Sequence, residues 1–159
     1  MDINLQKASY DDCEVIHEMQ LRSFRQLLDK YQDFATNPGA ESLVLIIGRM
    51  QQDFNDYYLI QLDGQNIGAI RVQRRPDNRC RISPLFLLPE FHGQGFAQQV
   101  IRAVEELYPH AVAWQLETIK EEPKLLYLYE KMGYKRTGKE VVIQDNMTIV
   151  HYSKSKPVR

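Results

Sequence analysis

Cysteine is scarce in this sequence: there are two in 159 residues, Cys13 and Cys80. They form no CxxC pair and no run with histidine at metal-ligand spacing. That excludes a disulfide framework and a structural zinc site, and it suits a reducing interior. Long apolar runs are also missing. The longest aliphatic stretch, Leu43 to Ile47, falls far short of the roughly 20 residues that span a bilayer, so no membrane partner is expected. Charge of one sign is absent too. Twenty Lys and Arg stand against 21 Asp and Glu, a formal net charge of -1, so no global field draws the chain to nucleic acid or to an anionic membrane. The start, Met1-Asp2-Ile3-Asn4, has neither the basic region nor the apolar stretch of a secretion signal, which predicts a cytoplasmic protein.

What is present is the composition of one globular domain over residues 1–159, with 43% hydrophobic and 26% charged residues. Alternation over Ile3 to Ala8 predicts a first strand. Apolar positions from Val15 to Leu28 recur at helical spacing, with a break expected near Ser23, and Glu41 to Gln52 resumes a helix. Asp63-Gly64 joins two strands as a tight hairpin, Pro76-Asp77-Asn78 turns again, and Arg79 to Leu88 makes a third strand. Pro84 lies inside that strand. It cannot donate a ladder hydrogen bond, so it predicts an edge or a bulge where the strand leaves a neighbour. Ala97, Val100, Ile101, Val104 and Leu107 define a helix, and Ala111 to Ile119 a strand. Pro123 opens a last helix that Gly133 stops, and two strands close the chain. The fold class is α/β, one mixed sheet with helices on its faces.

The segment Leu85-Phe86-Leu87-Leu88-Pro89-Glu90-Phe91-His92-Gly93-Gln94-Gly95-Phe96-Ala97 runs from strand through a two-glycine loop into a helix. Free N–H groups at such a helix start, with the macrodipole behind them, bind phosphate, and glycine lets the phosphate approach the main chain. A dinucleotide fold does not fit, because Gln98 stands where a third glycine belongs and the preceding strands are antiparallel. A P-loop does not fit either, since no Gly-Lys-Ser/Thr follows. A turn needed only for packing is the alternative.

This segment, as His92-Gly93-Gln94-Gly95-Phe96-Ala97, resembles the coenzyme signature of the GNAT superfamily of N-acetyltransferases, with His92 in place of the usual Arg or Gln. Leu128-Tyr129-Glu130-Lys131-Met132-Gly133-Tyr134 is similar to the second mark of that family, and the element order matches from end to end. The resemblance implies a GNAT-like acyl-CoA N-acyltransferase fold. That fold is a mostly antiparallel sheet of about six to seven strands with about four helices, splayed at the strand holding Pro84.

The resemblance also implies acetyl-CoA as co-substrate, with no metal, and a small-molecule amine or peptide as acceptor. It allows a homodimer. It assigns coenzyme contacts to the backbone of Phe86, Leu87 and Leu88 and to the amides of His92, Gly93, Gln94, Gly95, Phe96, Ala97 and Gln98. Glu122 stands where the family often has a pantetheine-touching Asn. Tyr129 matches the family's general acid, although its helical spacing alone suits a core aromatic. Glu117, in Leu116-Glu117-Thr118, is similar to the proposed base of the ribosomal-protein alanine acetyltransferases; a salt bridge, with water as the base, is the alternative.

Other residues carry weaker expectations. His17, His110 and His151 share no spacing of a metal site or triad and are expected as surface or core histidines. Arg74, Arg75, Arg79 and Arg81 are expected as a solvated rim. Glu14, Glu18, Tyr31, Asp33, Phe34, Tyr57 and Tyr58 suit an ammonium-bearing acceptor through charge and cation–π attraction. The same fold without turnover, as an acyl-CoA-binding sensor or an interaction module, is the competing function.

Overall fold

The computed structural model describes residues 2–156. β1 (Asn4–Lys7) leads through a 3₁₀ turn, closed by the Ser9 amide donating to Asp12 at 2.8 Å, into α1 (Cys13–Tyr31). The break expected near Ser23 does not occur. α1 is continuous over 19 residues, because Ile16, Met19, Gln20 and Tyr31 form one buried stripe whose packing outweighs the weak local propensity around the serine. α2 (Leu43–Met50) starts where the Ser42 hydroxyl accepts from the Leu45 amide at 3.2 Å. β2 (Asn55–Leu62) and β3 (Gln65–Arg75) meet at Asp63-Gly64, both left-handed with φ of 50° and 79°, as a type I′ turn requires. β4 (Arg79–Leu87), α3 (Phe96–Glu106), β5 (Ala113–Ile119), α4 (Pro123–Lys131), β6 (Lys135–Gln144) and β7 (Met147–Ser155) follow in the predicted order.

The seven strands of the described residues form one sheet in the order β1-β2-β3-β4-β5-β7-β6. Every pairing is antiparallel except β4–β5. α3 and α4 cover one face, where Val100, Ile101 and Val104 pack on Ile70, Val72, Trp114 and Leu116. α1 and α2 cover the other, over Tyr57, Leu59, Ala69 and Phe86. No helix of the described residues is long and apolar enough to cross a membrane.

Pro84 does what its chemistry predicts. The β3–β4 ladder runs as far as Val72↔Ile82 and resumes at Ile70↔Leu85, so Arg71 alone faces both Ser83 and Pro84. This bulge inverts the strand's parity. Cys80 and Ile82 point into the α3–α4 core before it, Leu85 and Leu87 after it. On its other edge β4 pairs with β5 only from Arg79↔Ala113 to Arg81↔Gln115, and there the two parallel strands part. The sheet is therefore forked, and the fork opens toward the loop that starts α3.

The core assignment has a measurable consequence. Ile101→Ala removes a fully buried side chain and is expected to lower the urea unfolding free energy by about 2–5 kcal/mol. Val142→Ala, at a position 73% exposed, is expected to change it by less than about 0.5 kcal/mol.

Candidate active site

At the mouth of the fork, a 3₁₀ turn at Pro89–Phe91 carries the chain into the glycine loop. Gly93 and Gly95 have φ of 73° and 81°, and Gly95 is the N-cap of α3. A side chain would be strained at either position, yet a Cβ added there would meet nothing within 4 Å. The glycines thus serve backbone conformation and leave open space beside the main chain. The His92 amide donates to the Pro89 carbonyl at 3.1 Å, so the free amides begin one residue later than expected, at Gly93. From Gly93 to Gln98 the N–H groups donate to no carbonyl among the described residues. Six consecutive unpaired donors at a helix start are a phosphate-binding arrangement.

The strand leading into this loop offers main-chain groups to the fork, though from different residues than expected. The Leu88 amide donates to the Ile67 carbonyl at 2.8 Å, and the Phe86 carbonyl lies against Gly68, where an added Cβ would come within 2.1 Å of it. Alternate residues of a strand direct their main-chain groups to opposite neighbours. Phe86 therefore turns its groups to β3, Leu88 gives its amide to β3 and its carbonyl to the Phe91 amide at 2.9 Å, and Leu85 and Leu87 face the fork. Of the three residues expected to contact the coenzyme, Leu87 turns main-chain groups away from β3, and so does Leu85, which is not among them. The parity inversion at Pro84 is what decides this, and no residue type signals it. His92 Nε2–H donates to the Leu87 carbonyl at 2.7 Å, so the histidine that replaces the family's Arg or Gln sits at the fork's rim.

Tyr129 lies on the α3–α4 side of the sheet, 8% exposed, with its ring against Tyr134 and Tyr152 at centroid distances of 6.2 and 6.4 Å. It is a core aromatic, and its hydroxyl donates to none of the described residues. Burial pushes its pKa up to about 12, so the phenol stays protonated through the physiological range. Burial likewise pushes the Cys80 thiol up to about 11 and raises that of Cys13, which removes both as thiolate nucleophiles.

On the opposite face, Glu117 is held by Arg81. Arg81 Nε donates to the two carboxylate oxygens at 3.1 and 2.9 Å, and His151 Nδ1 lies 3.6 Å from Oε1. Arg81 is thus drawn out of the expected solvated rim, whereas Arg74 stays exposed in it and pairs with Asp56 at 3.1 Å. The sequence hides these pairings because the partners are far apart along the chain. Arg71, 5% exposed, staples the bulge. Its Nε donates to the Ser83 carbonyl at 2.5 Å and Nη1 to Asn55 at 3.2 Å, and burial, with Arg49 nearby, lowers its pKa to about 10.

Glu122 begins α4 but turns toward the end of α1, accepting from the Tyr31 hydroxyl at 2.5 Å and from Lys30 at 2.6 Å. Partial burial opposes its ionisation, but these two bonds win and hold its carboxyl below the usual range. Any pantetheine contact from Glu122 has to be shared with them. Of the side chains expected to meet an ammonium, Asp33 is buried and caps the Ala35 and Thr36 amides, Tyr57 is 1% exposed, and Tyr58 is bonded to Tyr108. Those three expectations are corrected, while Tyr31 gives its hydroxyl to Glu122. No group of three or more His, Cys, Asp or Glu among the described residues is arranged to hold a metal ion.

Comparison with known proteins bears on the family and the fold. The family model described as an acetyltransferase (GNAT) domain matches residues 45–156, well over half of the chain. An uncharacterized protein of Bacillus subtilis, YrkN, is 29% identical over 92 residues, which are 54% of this chain and 49% of that one, so the chain covers about half the length of this curated relative. Among solved structures, the ribosomal-protein-alanine N-acetyltransferase of Escherichia coli is 10% identical. It superposes with a TM-score of 0.76 over 96% of this chain and 93% of that one. The spermidine N-acetyltransferase of Vibrio cholerae, solved with CoA and spermine, is 17% identical, with a TM-score of 0.76 over 97% and 95%. At these identities the likenesses establish the fold.

The raised Tyr129 ionisation is directly measurable. In ultraviolet difference titration of the protein against Tyr129→Phe, no tyrosinate signal from Tyr129 is expected below about pH 11. A signal centred near pH 10 would contradict the buried, donor-competent phenol.

Proposed function

The chain belongs to the GNAT acetyltransferase domain family, and on that footing we propose that it moves an acetyl group from acetyl-CoA to a primary amine of a small molecule or peptide, by direct attack in a ternary complex. The observation that carries this reading is the coincidence of two features at one place. β4 parts from β5 after Arg81↔Gln115, and the free amides of Gly93 to Gln98 lie at the open end of that fork.

The residues fit the coenzyme. Leu85 and Leu87 would pair their main-chain groups with the pantetheine arm as an added strand does. The amides of Gly93, Gln94, Gly95, Phe96, Ala97 and Gln98 would hold the pyrophosphate, with His92 at the rim. When bound, acetyl-CoA supplies the activated acyl group and a thiol leaving group. Tyr129, neutral at working pH, supplies the proton for the departing sulfur from one face of the sheet. The amine comes from the other face, where Glu117 stands and a general base or a water takes the amine's proton. No covalent enzyme intermediate is needed, and the buried, protonated cysteines do not offer one.

Thermal unfolding with acetyl-CoA, desulfo-CoA and ATP tests the coenzyme site. Both CoA species at 100 times their Kd are expected to stabilise the fold by about 2.7 kcal/mol, and ATP much less; no shift with any of them would return the glycine loop to a packing role. Tyr129→Phe is expected to lower kcat about 100-fold with acetyl-CoA affinity nearly unchanged. Equal turnover would remove Tyr129 from the mechanism. Gly95→Asp places a carboxylate against the pyrophosphate site and is expected to abolish CoA stabilisation while the apo fold persists; retained stabilisation would place the anion elsewhere.

A further inference from the structure

The sequence offers Glu117 as a candidate base, yet both of its oxygens lie within 3.1 Å of Arg81 Nε. A guanidinium keeps its protons under all working conditions, so an incoming proton would compete with a bond that persists. Among the described residues, the other charged or titratable group paired with this carboxylate is the His151 ring. Cross-strand register sets Glu117 opposite His151, two residues beyond the last β4–β5 pair, Arg81↔Gln115. Alternation sends Leu116 and Tyr152 into the α3–α4 core and leaves Glu117 and His151 together on the α1–α2 face, beside the point where the fork begins.

Resting on the acetyl-transfer reading of this site, we infer that His151 is the group that takes the proton from the acceptor amine, with Glu117 and Arg81 as its positioning residues. The ring is 21% exposed, Glu117 24% and Arg81 25%, so the cluster is sheltered but reachable. Nδ1 stands 3.6 Å from Glu117 Oε1. This is ion-pair range short of a hydrogen bond, the looseness common in catalytic pairs before substrate binds. Nε2 is bonded to none of the described residues. Arg81 fixes the carboxylate, the carboxylate orients Nδ1–H, and Nε2 keeps its lone pair for the amine. The neighbouring elements add few charges. The β6 bulge between Arg136 and Glu140, opposite His151, carries Lys139. On α1, the Tyr31 hydroxyl is given to Glu122.

In the resulting step the amine nitrogen bonds to the thioester carbon and the carbon–sulfur bond breaks. The amine proton passes to His151 Nε2 and the Tyr129 proton to sulfur. Solvent then carries a proton from the imidazolium back to the phenolate, so amine and thioester become amide and thiol with nothing left over.

The sequence has four histidines, so imidazole ¹⁵N resonances assign readily, with His151 identified by its loss in His151→Gln. At pH 8 the wild-type His151 ring is expected as the Nδ1–H tautomer, and Glu117→Gln is expected to abolish that preference. Turnover is measured on an alanine-initiated peptide, spermidine and kanamycin, using whichever is acetylated fastest. His151→Gln is expected to lower kcat at least about 100-fold, with acetyl-CoA thermal stabilisation unchanged. An Nε2–H tautomer in the wild type, or His151→Gln turning over near the wild-type rate while Glu117→Gln does not, would overturn the inference. A wild-type protein that binds acetyl-CoA but acetylates none of the three amines would instead contradict the functional reading, and this inference with it.

Discussion

The structure depends on one local event, the extra residue that Ser83-Pro84 inserts into β4. Proline has no amide to give to a ladder, and the Arg71 side chain, buried beneath α1 and α2, holds the Ser83 carbonyl in its place. From that bulge follow the inverted parity of Leu85 and Leu87, their main-chain groups turned away from β3, and the loss of pairing with β5 beyond Arg81. A sheet that stayed zipped here would have a continuous core and nowhere to admit an extended ligand. The buried guanidinium is a cost, visible in its lowered pKa. Its bonds to Ser83 and Asn55 are what make that cost tolerable.

The fork also divides the chemistry between two faces. On the α3–α4 side the environment is apolar, and burial keeps Tyr129 a phenol, a donor at neutral pH. On the α1–α2 side the groups are charged and mutually compensated: Arg81 with Glu117, and Lys30 and Tyr31 with Glu122. A thioester lying in the fork would meet a proton donor on one side and proton acceptors on the other. In the proposed reaction this separation prevents the acid and the base from neutralising each other directly.

Much of this was legible in the sequence because it rests on local rules. Period-two and period-3.6 patterns placed every strand and helix, Asp63-Gly64 and Gly133 marked their turns, and Pro84 announced the bulge. The glycine loop was legible because positive φ and free amides are properties of a few consecutive residues. What escaped is non-local. Whether Leu85 or Phe86 faces the fork depends on a register set by β3, and the pairing of Arg81 with Glu117 and His151 joins three strands that no spacing rule connects. Asp33 misled because an acidic residue in a loop reads the same whether it awaits a ligand or caps its own turn. The expected break at Ser23 failed for a related reason, since tertiary packing along the buried stripe of α1 overrides local propensity.

The measurement that bears most directly on this account is the diffraction structure of crystals grown with acetyl-CoA. The pantetheine arm should lie between β4 and β5, bonded to the main chain of Leu85 and Leu87, with the pyrophosphate on the amides that follow His92. A coenzyme bound elsewhere on the molecule, or β4 paired with β5 along its full length, would contradict the claim that the bulge at Pro84 builds the site.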